Sequence, residues 1–114
     1  MSARKDADYL GNMLDAARKA FGKVEGLPRA IFTTDENLRI TVVHLIQIIG
    51  EAASRVSPEA RELHPEIPWR TIVGMRHRLV HNYLDVDEEV VWQVATRDLP
   101  LLISALEKIV GPET

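Results

Sequence analysis

Between Trp69 and Tyr83 the chain carries Arg70, Arg76, Arg78, His77 and His81 and not one acidic residue. In a chain whose formal net charge is −3, this is the one local concentration of positive charge. Such a group could hold a phosphate, although an ordinary solvated basic face has the same composition. On a helical wheel at about 100° per residue, Arg70, Gly74, His77 and His81 fall on one stripe, spaced by four, three and four. Gly74 has no side chain, so another backbone or a ligand could approach closely there. The neighbouring face gathers Trp69, Ile72, Val73, Leu79, Val80 and Tyr83 and is apolar, with Arg76 in its middle. A guanidinium cannot shed its charge, and an unpaired buried charge is very costly. Arg76 must therefore reach a carboxylate, a phosphate or a water-filled cleft, or snorkel to the rim of the face. His77 and His81 have the i,i+4 spacing of metal-binding helices. No Glu follows the first His, and His44 and His64 lie in other elements, so no metal site is expected. Glu51 shares a narrow polar stripe with His44, Gln47 and Arg55. It is a candidate partner for Arg76, or it pairs with Arg55 at i,i+4 for about 0.2–0.5 kcal/mol. Tyr83 continues the apolar face and reads, on pattern alone, as a core or helix-end aromatic.

The elements that must position these residues are helical. Tyr9, Leu10, Met13, Leu14, Ala17, Phe21 and Val24 recur at helical spacing and predict a first helix over about residues 4 to 24, stopped by Gly26 and Pro28. Thr33-Thr34-Asp35-Glu36 has the spacing of a capping box and predicts a second helix from Thr33 or Thr34 to about Val56. Its apolar residues cover more than half of its circumference, too wide for one packing face. It is either central in the bundle or packed against a second protomer. Residues 57 to 67 read as a connector with a short helical turn at Glu59 to Leu63. Pro68 suits the first position of a third helix, expected to run to about Tyr83. Asp85 or Asp87 caps a fourth helix, which Pro100 should kink or restart near Asp98 and Gly111-Pro112 should end. Alternating strand patterns are hard to find. Four helices with short connections imply an all-α, antiparallel four-helix bundle with a kinked fourth helix.

Length and composition bound the rest. At 114 residues the chain fits one domain, 1–114. With 46% apolar residues a core forms, though folding at this size buries only about two-thirds of the unfolded surface, and small domains of this kind gain from oligomerising. There is no cysteine, which rules out disulfides and thiolate chemistry and fits a reducing cytoplasm. No apolar run approaches the roughly 20 residues that span a bilayer, and no signal-peptide core follows the N-terminus. A strongly basic nucleic-acid footprint is missing, so nucleic-acid binding would rest on the local patch.

Arg76-His77-Arg78-Leu79-Val80-His81-Asn82-Tyr83 reads R-x4-H-x-Y, the motif by which the chain resembles HepT toxins of the HEPN superfamily. The resemblance extends to Ile48-Ile49-Gly50-Glu51-Ala52-Ala53, similar to the family's IGEAA segment, and to Pro65-Glu66-Ile67-Pro68-Trp69 and Gly74-Met75-Arg76. Val91-Trp92 and Leu99-Pro100 resemble its fourth-helix pattern, so that the likeness covers about residues 5 to 110. Two positions depart from the pattern: His77 stands where the family most often has Asn, and Asn82 where Asp is common. The resemblance implies a HEPN-type bundle and a metal-independent endoribonuclease, without cofactor, working at the cleft of a homodimer. His81 would act as general acid or base on the ribose 2′-OH and the leaving 5′-oxygen, since its pKa lies near working pH. Arg76 would hold the phosphate. His77, Glu51 and Asn82 would support the site, and Tyr83 would accept AMP from an MNT-type nucleotidyltransferase antitoxin, which silences the toxin. The alternative is a catalytically silent HEPN module that partners a nucleotidyltransferase.

Overall fold

A computed structural model describes residues 3–82 and 85–111; of Ala3, Arg76, His77, Val80, His81, Asn82 and Asp85 it describes the backbone alone. In chain order the elements are α1 (Ala3–Val24), α2 (Arg29–Thr34), α3 (Glu36–Arg55), α4 (Pro58–Leu63), α5 (Trp69–Val73), α6 (Met75–Leu79), β1 (Val80–Asn82), β2 (Asp85–Val86), α7 (Glu88–Gln93), a π-helical turn (Val94–Asp98) and α8 (Leu99–Val110). The expected all-α four-helix layout is present: α1, α3, the pair α5–α6, and the run α7–π–α8. α3 is central, touching α1, α2, α5, α6 and α7, while α8 closes on α1.

Apolar residues at helical spacing dictate this packing. α1 buries Leu10, Met13, Leu14, Ala17, Ala20 and Val24 against Val42, Ile46, Ile49 and Ala53 of α3 and against Leu99, Leu102 and Leu106 of α8. The alanines allow the backbones to come close. Arg18 of α1 pairs with Glu107 of α8 at 2.8 Å across the seam. Not all of α3 is covered: Ile40 is 60% and Ile48 37% exposed, so its wide apolar girth serves the bundle and also leaves an outward stripe.

Three local expectations are corrected. The second long helix begins at Glu36, not at Thr33 or Thr34. Both threonines belong to the short helix α2, where the Thr34 hydroxyl donates to the carbonyls of Ala30 and Ile31 and so is not free to cap. Asp35 caps α3 instead, accepting from the Leu38 N–H at 3.0 Å. α2 carries no side-chain N-cap. It is fixed by buried Phe32, whose ring lies 5.0 Å from that of Trp92, and by Arg39, which donates to the carbonyls of Phe32 and Thr33.

The third helix does not run to Tyr83. It is interrupted at Gly74 and ends at Leu79, and the chain continues as β1, antiparallel to β2 with Val80 opposite Val86. The β-branched valines favour extended backbone, and the Asp87 N–H closes the ladder on the Leu79 carbonyl at 2.7 Å. Val73, placed on the apolar face by the wheel, is 38% exposed and lines an open cleft beside α3.

Pro68 stands just before the third helix as its N-cap rather than as its first residue, and the bounds expected for the fourth helix hold. Asp87 caps α7, and the α-helix restarts at Leu99 after the π turn, in which the Leu99 N–H reaches back to the Val94 carbonyl. Pro100 follows in the first turn of α8, where its missing N–H is harmless. Gly111 ends α8 with φ 103°, a conformation that suits glycine.

One buried acid ties the N-terminal turn of α1 to α4. Asp6 is 8% exposed and accepts from the Ser57 N–H at 2.9 Å and the Ser57 hydroxyl at 2.7 Å, while Ser57 Oγ caps α4 by accepting from the Ala60 N–H. Ser57→Ala removes the cap and one donor to Asp6, and is expected to cost about 1–3 kcal/mol in urea denaturation. The hydrogen bonds from Ser57 hold the Asp6 carboxyl below its usual range, and those from Arg29 and Gln93 do the same for Glu89. A lowered folded-state pKa means stability that is complete above the ordinary carboxylate range and is lost as pH falls through it. Denaturation midpoints followed from pH 6 to pH 3 should therefore drop more steeply in the parent than in Asp6→Asn; parallel curves would show that Asp6 does not drive the acid limb.

Candidate active site

The segment that bears the charged motif is anchored from below. Ile67, Trp69, Ile72, Met75 and Leu79 are buried, the last four at spacings of three, three and four. The indole N–H of Trp69 donates to the His64 carbonyl at 3.0 Å, and the Arg61 guanidinium lies 5.9 Å from the ring centroid. Arg61 also donates to the carbonyls of Ala53, Ser54 and Val56. It thereby satisfies the C-terminal end of α3 and links it to the start of α5. Sequence reasoning missed Arg61. The signal available was a cation six residues past the end of a helix, which by itself is ordinary.

Gly50 sets the distance between α3 and α5. A Cβ at this position would lie 3.1 Å from the Ile72 carbonyl oxygen and 3.9 Å from that of Val73. That neighbour is backbone and cannot swing away. Gly50→Ala is therefore expected to push α5 outward by a few tenths of an ångström and to cost about 1–3 kcal/mol as overpacking, read in thermal denaturation. An unchanged midpoint would show that the helices part freely.

The described motif residues lie on two different pieces of backbone. Arg76 and His77 are on α6, His81 and Asn82 on β1, and Tyr83 lies outside the described residues. The four-three-four stripe of Arg70, Gly74, His77 and His81 is thus not a helical stripe. The helix-to-strand junction at Leu79–Val80 sets the relation of Arg76 to His81. The same junction separates His77 and His81 into a helix and a strand, so the i,i+4 geometry of a metal-binding helix does not apply to them. Among the described residues no three His, Asp or Glu side chains cluster as a metal site would require.

Beside this segment the outer face of α3 forms an open cleft of about 500 Å³ lined by His44, Gln47, Gly50, Glu51 and Ser54, with Val73 of α5 as its far wall. Glu51 is largely exposed in it, and its described partner is Arg55 at 3.9 Å. Arg70 and Arg78 are exposed on either side of Arg76. Among the described residues the cleft lining carries His44 and Glu51 as its titratable groups, with Ile46, Ile48 and Val73 as its apolar part. No helix among the described residues is long and apolar enough to cross a membrane.

A helical bundle with a basic, histidine-bearing segment at one edge defines the class of protein, and comparison with known proteins places it further. The family model for HepT-like ribonucleases matches residues 13–109. The chain belongs to the HepT-like family of the HEPN superfamily. It is 34% identical over 110 residues to a probable ribonuclease HepT of Thermococcus cleftensis, covering 93% of this chain and 96% of that one. A candidate RNase of Caldanaerobacter subterraneus is 31% identical over 105 residues, covering 92% and 94%. A candidate RNase of Methanocaldococcus jannaschii is 28% identical over 107 residues, covering 94% and 98%. No solved structure gives a significant match.

Proposed function

We propose that this chain is a ribonuclease of the HEPN type, a metal-independent endonuclease that acts at the cleft of a homodimer and serves as the toxin of a toxin–antitoxin pair. The observation that carries the reading is the segment Arg76–Tyr83, which has the order R-x4-H-x-Y and lies within the stretch matched by the family. The relatives named for ribonuclease activity cover nearly the whole chain. The outward stripe of Ile40 and Ile48, with Val73 at the edge of the α3 cleft, supports pairing of two copies beside the motif.

In this reading Arg76 holds the scissile phosphate and stabilises the charge that develops on its oxygens. His81 moves the proton of the ribose 2′-OH. That oxygen attacks phosphorus, the bond to the 5′-oxygen breaks, and the leaving oxygen is protonated. The products are a 2′,3′-cyclic phosphate and a 5′-OH, and DNA is not cut because it lacks the nucleophile. His77, Glu51 and Asn82 support the site. Tyr83 is the acceptor for AMP from an MNT-type nucleotidyltransferase; the added negative charge and bulk at the cleft oppose RNA binding.

The test is incubation of RNA with purified protein of confirmed unmodified mass, with EDTA present. Cleavage that leaves cyclic phosphate ends establishes the activity. Absence of cleavage by a folded, dimeric sample overturns it in favour of a silent HEPN module that partners a nucleotidyltransferase.

A further inference from the structure

Between α5, α6 and α8 lies a second hollow. Thr71 and Ile72 of α5 with Met75 of α6 form one wall and Leu101, Leu102 and Ala105 of α8 the other, the same sequence spacing on both sides. The small Thr71 and Ala105 leave the space, about 380 Å³, within the range of ligand-sized pockets. Leu102 and Met75 form a buried floor, while Leu101 is 74% exposed at the lip. The π turn of Val94–Asp98 brings Asp98 to one end of the groove, and Glu66 stands among the lining residues as well. Among the described residues the lining thus holds two carboxylates and no cation, with His64 Nδ1 3.8 Å from Glu66 outside it.

We infer that this groove is a docking site for an amphipathic helix of a protein partner, with Leu, Ile or Met side chains on one face and Lys or Arg flanking them. Apolar side chains fill the space between Thr71 and Ala105, and the flanking cations meet Glu66 and Asp98. A second copy of this chain fits less well, because a two-fold contact sets a patch against itself and would bring the acidic rims together. The inference is independent of the ribonuclease reading. It does place the partner on Met75, next to Arg76, so that occupancy reaches the motif through one peptide unit.

The experiment is an NMR titration of the full, isotope-labelled chain with a synthetic helical peptide of Leu and Lys, and with its Leu/Glu counterpart. The Leu/Lys peptide should shift the amides of Thr71, Met75, Leu101 and Ala105 saturably. Leu101→Lys, at an exposed position that leaves the fold intact, should weaken binding by about tenfold or more, roughly 1.4 kcal/mol. The Leu/Glu peptide should bind at least as weakly as that. Shifts mapping elsewhere, no shifts at all, or equal binding of both peptides overturns the inference. Shifts of these same amides with protein concentration alone would assign the groove to a second copy and overturn it equally.

Discussion

His81→Ala is expected to lower RNA cleavage by about 10²- to 10⁴-fold, the usual contribution of a positioned general acid or base. Arg76→Ala should lose about 10²- to 10³-fold, as removal of a charge-stabilising donor does. Arg76→Lys should recover only part of this, since a point charge replaces a fork that matches two phosphate oxygens. None of the three should unfold the protein, because the segment is anchored by Ile72, Met75 and Leu79, all buried. Circular dichroism and thermal midpoints close to those of the parent check this. Cleavage in the parent should persist in EDTA and should vanish on an oligonucleotide whose single ribose at the cut site is made 2′-deoxy. Parent-like cleavage by His81→Ala would remove this residue from the chemistry, and loss of cleavage in EDTA would overturn the metal-independent mechanism.

Much of the frame that holds this site was legible in the residues. The apolar spacing of Leu10, Met13, Leu14 and Ala17 fixed α1 because each turn repeats the same burial, and Pro68, Asp87, Pro100 and Gly111 each mark a boundary for a stereochemical reason that acts within a few residues. The misreadings lie where two local signals compete and tertiary contact decides. Thr34 and Asp35 are both good caps, and only the hydroxyl's turn back to Ala30 and Ile31 assigns the role to Asp35. From Trp69 to Tyr83 the wheel counts period without noticing that Gly74 ends α5 and that Val80 pairs with Val86. The motif's residue types could be read as phosphate-binding and proton-transferring chemistry. Their mutual geometry could not, because a helix stripe and a helix-to-strand junction carry the same letters. Gly50 shows the converse. Its place in a family-like segment was evident, but its reason is a carbonyl 3.1 Å away on another element.

Trp69 is the residue whose loss should damage this frame most. Truncation to Ala empties a site that is 9% exposed and is expected to cost about 3–5 kcal/mol. Trp69→Phe keeps most of the apolar volume and loses the bond from the indole N–H to the His64 carbonyl, so about 1 kcal/mol of its cost comes from that bond. The damage should be local before it is global. Trp69 links the end of α3, through Arg61, to the first turn of α5, whereas α1 and α8 hold each other independently through Leu14, Leu106 and the Arg18–Glu107 pair. Hydrogen exchange in Trp69→Phe should therefore accelerate at Ile72, Met75 and Leu79 well before it does at Met13 or Leu14. If the motif works by being held against α3, cleavage by this variant should fall more than its folded fraction does, and the excess should grow on warming as α5 and α6 loosen. Uniform acceleration across α1, α3 and α5 would instead mean that the bundle opens as one unit. The Trp69 anchor would then contribute to stability without specifically positioning the motif.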